Sequence, residues 1–188
     1  MGKQAKQFVD FLEKAGQTYW QMLPICPTSY GDSPYQSPSG FAGNPYFIDL
    51  DILCTKKLLK KSECKSYQWN EKDDTVDYAL LYKNRYDLLR KAKVRFFENV
   101  PQEYGQFCEK EADWLDDFAL FMALKEAHNG AQWSEWERPL KFREAEAIAK
   151  AKDTYADEID FWKMLQYLFF EQWYELKNYA NERGIRII

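Results

Sequence analysis

The chain has 188 residues, a length that fits one domain with enough sequence to bury a substantial core. Its hydrophobic content of 46% excludes a disordered protein. Its net charge of -4 argues against a surface dedicated to nucleic acid, because phosphate binding needs clustered Lys and Arg.

Neither the cysteines nor the histidine has the spacing of a metal site. The four cysteines form no C-x-x-C pair, and His128 has no partner at ligand spacing, so a zinc site is not expected. The sequence shows no secretory leader and no apolar run near the roughly 18 residues of a membrane span. We therefore expect a cytoplasmic protein with free thiols and no membrane partner.

Apolar residues at helical spacing predict an opening helix near residues 8–15, and Gly16 supplies its end. The apolar run at residues 18–25 predicts a short buried strand. Beyond Asp51 the chain is predicted to be almost entirely helical. The predicted helices lie near residues 76–97, 102–128, 139–151 and 156–182, Gly184 ends the last one, and residues 185–188 begin a second strand.

These two strands are apolar on both sides, as in a parallel sheet that is covered on both faces. Two such strands do not make a stable sheet unaided. Helix, strand, helical insertion, helix and strand together read as a slice of an α/β protein. We therefore expect this chain to be a fragment whose other strands lie outside it.

The stretch "YGDSPYQSPSGFAGNPYFIDLD", at residues 30–51, contains three of the eight glycines. It follows the first predicted strand, and loops after the carboxyl ends of parallel strands build the sites of α/β proteins. Flat apolar faces and hydroxyl-binding groups occur together in and around it: Tyr30, Tyr35, Phe41 and Tyr46, with Asp32, Ser33, Gln36, Ser39 and Asn44. Sugars need this mixture, so the loop as a unit favours ligand contact, although each aromatic taken singly could instead pack inward.

The stretch "YWQMLPICPTSYGDSPYQSPSGFAGNPYFIDLDIL" resembles the early signature of the 4-α-glucanotransferases (amylomaltase, or disproportionating enzyme) of glycoside hydrolase family 77. The blocks "VDYALLY", "WLDDFALFMALKEAHNG" and "FFEQWYELKNYANERGIRII" follow in the order of that family. The resemblance implies a partial (β/α)8 TIM barrel, about strands 2–3, with a large helical insertion. Residues 1–50 would start the catalytic barrel, residues 51–152 would form the insertion, and residues 153–188 would add a barrel helix and the next strand.

The resemblance implies transfer of α-1,4-glucan segments between maltooligosaccharides, starch or glycogen chains by a retaining double displacement. In the family, the nucleophile Asp, the acid/base Glu and the supporting Asp lie on later strands, past Ile188. No catalytic residue is therefore assigned in this chain, and the chain alone is expected to be inactive. Because this chemistry needs carboxylates only, the resemblance implies no metal and no other cofactor. Among the early carboxylates, Asp32 is expected to brace its loop, while Asp49 and Asp51 are expected to cap the following helix.

By the same resemblance, Ser33 and Tyr35 match positions that line the groove near the scissile bond. Tyr30 and Tyr82 match aromatics of a secondary glucan-binding surface, and Asp32 joins the substrate-binding set as part of the loop. For Tyr82, a core tyrosine of a helix is an equal alternative. Pro38 and Gly40 depart from the usual family residues and could alter the shape of the loop.

Three other side chains are interpreted as structural. Trp20 and Trp173 lie on apolar stripes and are expected in the core, while His128 precedes Asn-Gly at a helix end, where an imidazole can meet the last carbonyls.

Two alternatives to a transferase fragment remain at this point. The chain could be a non-catalytic helical module that binds glucan or a partner through its aromatic loop. It could also be a truncated product without function, in which the exposed strand at residues 185–188 would promote aggregation.

Overall fold

The computed structural model describes residues 1–29, 31–70 and 75–188, and helices dominate this part of the chain. The α-helices are α1 (Lys3–Lys14), α2 (Leu50–Thr55), α3 (Lys61–Lys65), α4 (Tyr78–Glu98), α5 (Gln102–Lys110), α6 (Ala112–Ala127), α7 (Arg138–Lys141), α8 (Ala145–Thr154) and α9 (Ala156–Glu182). Short 3-10 helices occupy Pro45–Phe47 and Trp133–Glu135, and the strands are β1 (Tyr19–Trp20) and β2 (Arg186–Ile187). None of the helices in these described ranges has the length and apolar character needed to span a bilayer.

The two strands pair in parallel, with Tyr19 opposite Arg186 and Trp20 opposite Ile187. The amide of Arg186 donates to the carbonyl of Thr18 at 2.8 Å, and Trp20 accepts from the amide of Ile188 at 3.0 Å. The predicted parallel pairing is confirmed, although regular strand geometry covers only two residues on each side.

The predicted burial of the first strand is wrong for this chain. Tyr19 is 53% exposed, and Leu23, later in the same apolar run, is 61% exposed. The physical reason is that β1 has a single strand neighbour among the described residues, so part of its surface has nothing packed against it. An apolar strand pattern predicts which side chains are buried. In this chain, two of those side chains, Tyr19 and Leu23, are exposed to solvent.

The chain divides into two compact units, of which the first comprises residues 1–100 and 168–188. Part of its core forms where α1 packs against the later turns of α9. The buried members of this cluster are Val9, Leu12, Leu176, Ala180 and Ile185. Trp20 and Trp173 are partly buried and pack against the cluster, as expected from their apolar stripes.

The second unit comprises residues 101–167. One of its apolar clusters joins α6 and α8 to the segment between them, and its buried members are Leu120, Leu124, Trp136 and Ala151. These unit boundaries describe compactness within this chain. The sequence-based division into barrel segments (1–50 and 153–188) and a helical insertion (51–152) is a different division, and it stays a prediction.

Two predicted helices are each interrupted. The helix expected over residues 102–128 breaks at Glu111, whose backbone (φ -100, ψ 9) leaves helical geometry, and the Glu111 carboxylate accepts from Nε1 of Trp114 at 2.8 Å. The helix expected over residues 139–151 breaks where Arg143 adopts a left-handed φ of 55. By contrast α9 spans the predicted residues, and Gly184, at φ 73, follows its end as predicted.

The imidazole of His128 closes the end of α6, which confirms its structural interpretation. Its Nδ1 lies 2.7 Å from the carbonyl oxygen of Leu124, and its Nε2 lies 2.8 Å from a carboxylate oxygen of Glu137. The ring also stacks on Trp136 at 5.1 Å. Because both ring nitrogens face acceptors, the doubly protonated imidazolium satisfies both contacts, and the hydrogen bond to Glu137 raises the pKa of His128.

We expect the pKa of His128 to lie above its ordinary value of 6.5 and to fall in Glu137→Gln. Since the folded-state pKa is raised, this contribution to stability is fully present below the unfolded-state pKa and is lost as pH rises through the folded-state pKa. His128 is the only histidine, so its ring protons can be titrated by NMR without assignment ambiguity. Glu135→Gln, a nearby carboxylate, is the matched control and should leave the titration unchanged, whereas an unshifted curve in Glu137→Gln would contradict the geometry.

Candidate functional site: an aromatic loop after the first strand

The loop at residues 26–44, called the aromatic loop below, is held by its own backbone. The amide of Ser29 donates to the carbonyl of Gln36, and the amide of Gln36 donates to the carbonyl of Ser33, both at 3.1 Å. At the base of the loop, the amide of Asn44 donates to the carbonyl of Ile25 at 2.9 Å. This hydrogen bond joins the two ends of the loop, five residues after the end of β1. These bonds give the loop a defined shape, as its composition predicts.

Asp32 braces the aromatic loop, in agreement with its sequence interpretation. It adopts a left-handed φ of 51, which Asp tolerates better than most residues. Its Oδ1 accepts from the hydroxyl of Thr28 at 3.0 Å, and its amide donates to the carbonyl of Ser29 at 3.1 Å. One carboxylate oxygen is thus committed to the loop.

Ser33 and Tyr35 lie together at the turn of the loop. The Oγ of Ser33 accepts from the amide of Tyr35 at 3.4 Å. Tyr35 is 75% exposed, so its ring is accessible to a ligand. Tyr30, the remaining loop member of the predicted binding set, lies outside the described residues.

The second half of the loop presents Phe41, which is 71% exposed. The Oγ of Ser39 accepts from the amides of Phe41 and Ala42, each at 3.2 Å, and so turns the chain toward its buried end. That end is anchored at Gly43, where a Cβ would lie 2.0 Å from the ring of Phe169 on α9. Only glycine allows this close approach of the loop to the helix.

A cluster of four tyrosines begins where the aromatic loop ends. In this tyrosine cluster (Tyr46, Tyr78, Tyr82 and Tyr86), the Tyr82 and Tyr86 centroids are 4.9 Å apart. Tyr46 lies 6.3 Å from Tyr86 and 6.4 Å from Tyr78. Tyr82 is 59% exposed, so the alternative of a core tyrosine is wrong.

The phenol of Tyr46 links the loop to α4. Burial is the main reason that the pKa of Tyr46 is raised well above its ordinary value, and the nearby Asp32, Tyr82 and Tyr78 raise it further. Asp32 and Tyr82, which are 50 positions apart in the sequence, thus both lie near this partly buried hydroxyl.

Sequence reasoning missed Tyr78 and Tyr86, although the signal was present. Tyr78, Tyr82 and Tyr86 recur every four residues, which places them on one face of α4. It also missed Arg85, which donates from Nη1 to the carbonyl of Ile48 at 2.6 Å and lies over the ring of Trp69. Burial lowers the pKa of Arg85 and the nearby Asp49 raises it, yet a guanidinium remains charged at neutral pH.

The early carboxylates have structural partners. Asp49 is the N-cap of α2, where its Oδ1 accepts from the amide of Ile52 at 2.9 Å, as predicted. Asp51 does not cap this helix but lies in its first turn. Its negative charge there complements the helix dipole. Within the described ranges, no three His, Cys, Asp or Glu side chains are grouped so that they could hold a metal ion.

The two strands are parallel and are joined through helices, and a polar and aromatic loop follows the first of them. This arrangement is typical of α/β enzymes that bind ligands at the ends of their strands. The comparisons with known proteins narrow this class. The chain matches the family model described as 4-alpha-glucanotransferase over residues 1–188. It therefore belongs to the 4-alpha-glucanotransferase family, which confirms the resemblance seen in its motifs.

Curated relatives carry the same name. The chain is 49% identical over 187 residues to a 4-alpha-glucanotransferase of Clostridium butyricum, and 46% identical over 192 residues to one of Thermus thermophilus. It is also similar to a solved amylomaltase from Streptococcus agalactiae in complex with acarbose, with a TM-score of 0.95 at 39% identity. That match covers 99% of this chain and 38% of the solved one.

The share of each relative that the chain covers is limited. All of this chain aligns to the two curated relatives, but it spans only 38% and 37% of their lengths. The similarity therefore identifies the family and the local fold.

Proposed function

We propose that this chain forms the glucan-binding opening part of a 4-α-glucanotransferase, which transfers α-1,4-glucan segments between maltooligosaccharides or the chains of starch and glycogen. The observation that carries the proposal is the aromatic loop: an ordered loop with the exposed ring of Tyr35, next to a parallel strand, in a chain of this family. β1 and β2 would be parts of strands 2 and 3 of a (β/α)8 barrel. Residues 51–152 would be its helical insertion, between barrel segments at residues 1–50 and 153–188.

The predicted binding residues offer complementary chemistry to a glucan. A glucose ring presents C–H groups on its faces and hydroxyls around its rim, so it stacks on an aromatic ring and hydrogen-bonds at its edge. Tyr35 supplies the accessible ring. Ser33 accepts from a backbone amide, and its own hydroxyl hydrogen can still be directed at a sugar hydroxyl.

The other members of the predicted set act around this pair. Asp32 keeps the loop in shape through Thr28 and has a second carboxylate oxygen for a sugar hydroxyl. Tyr82 and Tyr30 would contribute to a secondary glucan-binding surface. Support for this role of Tyr82 comes from its exposure, because an accessible aromatic ring can stack on the face of a sugar.

The chemistry of transfer would be a retaining double displacement. One carboxylate attacks the anomeric carbon to form a glycosyl-enzyme, while a second protonates the leaving oxygen and later deprotonates the acceptor hydroxyl. Asp32 and Asp49 are engaged in loop bracing and helix capping, so they are poor candidates for these tasks. The proposal therefore gives this chain the binding of glucan and assigns bond cleavage to residues outside it.

Binding can be tested by calorimetric titration of the chain with maltoheptaose. We expect saturable binding that Tyr35→Ala weakens about tenfold, because a stacked ring contributes roughly 1 kcal/mol beyond its buried area. Tyr35→Phe keeps the ring and should retain most of the affinity.

Phe142→Ala is the matched control, because Phe142 is an exposed aromatic (65%) of the second unit. Equal losses in Tyr35→Ala and Phe142→Ala would contradict a binding role for the loop. Binding without any transferase activity in an assembled enzyme would favour the alternative, a non-catalytic glucan-binding module.

A further inference from the structure

Two thiols from neighbouring helices lie next to each other in the first unit. The Sγ atoms of Cys54, in the last turn of α2, and Cys64, in α3, are 3.7 Å apart. The link between the helices turns sharply at Lys57, which adopts a left-handed φ of 62. Both cysteines are free and partly buried.

We propose that Cys54 and Cys64 are a site of reversible oxidative modification, at which a low-molecular-weight disulfide such as glutathione disulfide converts the two thiols into an intramolecular disulfide. This inference does not rest on the proposed glucan function. It follows from the position of the two sulfur atoms and from what holds their helices in place.

The exchange balances without any further reagent. A thiolate of the pair attacks one sulfur of glutathione disulfide, forms a mixed disulfide and releases one glutathione thiolate, which takes up a proton. The second thiol of the pair loses its proton, attacks the protein sulfur of the mixed disulfide and releases the second glutathione. The protein loses two electrons and two protons, and the glutathione disulfide gains them.

The geometry requires little movement for this reaction. To form a disulfide, the two sulfur atoms must move from 3.7 Å apart to an S–S bond length of about 2.05 Å. The helices that carry them are both held by other contacts. Asp49 caps α2, and on α3 the carboxylate of Glu63 accepts two hydrogen bonds from Arg95, at 2.6 and 2.8 Å.

The electrostatics of the pair set its rate. Burial and the hydrogen bond with Cys54 raise the pKa of Cys64 to about 11, so little of its thiolate exists at neutral pH. Attack through this sulfur is therefore slow. A thiolate of high pKa is also a poor leaving group, so the disulfide, once formed, is slow to reopen. These properties fit a durable cross-link better than a rapid sensor.

The other cysteines provide internal controls. Cys26 lies in the aromatic loop, where its Sγ is 3.7 Å from the carbonyl oxygen of Gly40. Cys108 lies in the second unit, where Tyr104 is its hydrogen-bond partner. Neither sulfur is directed at a second thiol in these contacts.

The test is to incubate the folded, reduced chain with glutathione disulfide and to follow its thiols. We expect four titratable thiols to fall by two through formation of one cross-link. Trypsin cuts at the lysines between Cys54 and Cys64, so without reduction the two cysteine peptides should remain joined in the mass spectrum. Cys108→Ser should keep this cross-link, while Cys64→Ser should lose it and carry a glutathione adduct on Cys54.

A parallel reaction in guanidinium separates folded proximity from mere nearness in sequence. Because the fold positions the two sulfurs, the cross-link should form on the order of tenfold faster in buffer than in denaturant, after correction for thiolate content. Equal corrected rates, or cross-links that involve Cys26 or Cys108 as often as the proposed pair, would overturn the proposal.

Discussion

Replacing Gly43 with alanine is expected to destabilise the first unit by about 3 kcal/mol, since an added methyl group in a packed interior forces the surrounding structure to shift. The new Cβ would lie 2.0 Å from Cδ1 and 2.1 Å from Cε1 of Phe169. Phe169 is only 1% exposed, so its ring cannot move aside into solvent. Chemical denaturation followed by circular dichroism measures the change in the free energy of unfolding.

Gly40→Ala is the matched control in the same loop. A Cβ at Gly40 would meet no atom within 4 Å. The free energy of unfolding of this variant should therefore lie within about 0.5 kcal/mol of that of the parent. Wild-type stability in Gly43→Ala would show that the aromatic loop is not anchored on α9 in solution.

Replacing Phe169 with alanine is expected to cost about 4 kcal/mol, because it removes a fully buried ring and leaves a cavity. The two sites should not behave independently. In the double variant, the methyl group at position 43 enters the space that the ring has left, so Gly43→Ala should cost little or nothing when Phe169 is absent.

A double-mutant cycle measures this coupling. Phe142→Ala removes a phenylalanine that is mostly in solvent and serves as the control, with an expected change below about 0.5 kcal/mol. Additive costs of Gly43→Ala and Phe169→Ala would contradict the direct contact between loop and helix.

How much of the fold the sequence predicts depends on how local each signal is. The long helix α9 and its end at Gly184 were predictable, because an apolar stripe and a C-terminal glycine are contained in the sequence itself. The breaks at Glu111 and Arg143 were not predictable, because neither residue is a glycine or a proline and no other breaker in the sequence marks either position.

The strands show the opposite limitation. The apolar run at residues 18–25 predicted a buried strand, and the parallel pairing with β2 is confirmed, yet Tyr19 is largely exposed. A strand that is apolar on both sides fits a sheet with several strands that is covered on both faces. In the described part of this chain, β1 has a single neighbouring strand, β2. This exposed surface supports the proposal of a larger barrel.

The candidate site was predictable in its parts but not in its assembly. The loop composition predicted a shaped aromatic surface, and the family resemblance singled out Tyr35, Ser33 and Tyr82. That Asp32 and Tyr82 both lie near Tyr46 depends on where α4 packs, which no local pattern contains. The proximity of the Cys54 and Cys64 thiols likewise depends on one left-handed residue between two helices, at Lys57.

The central claim is that this chain provides the glucan-binding part of a 4-α-glucanotransferase and leaves catalysis to residues outside it. The most direct measurement replaces the matching segment of the Clostridium butyricum relative with this chain, which aligns over its whole length. Release of glucose from maltotriose is then compared for the chimera and for the chain alone. We predict glucose release by the chimera, less of it in Tyr35→Ala, and none by the chain alone. Glucose release by the pure chain, or a folded chimera without transfer activity, would contradict the claim.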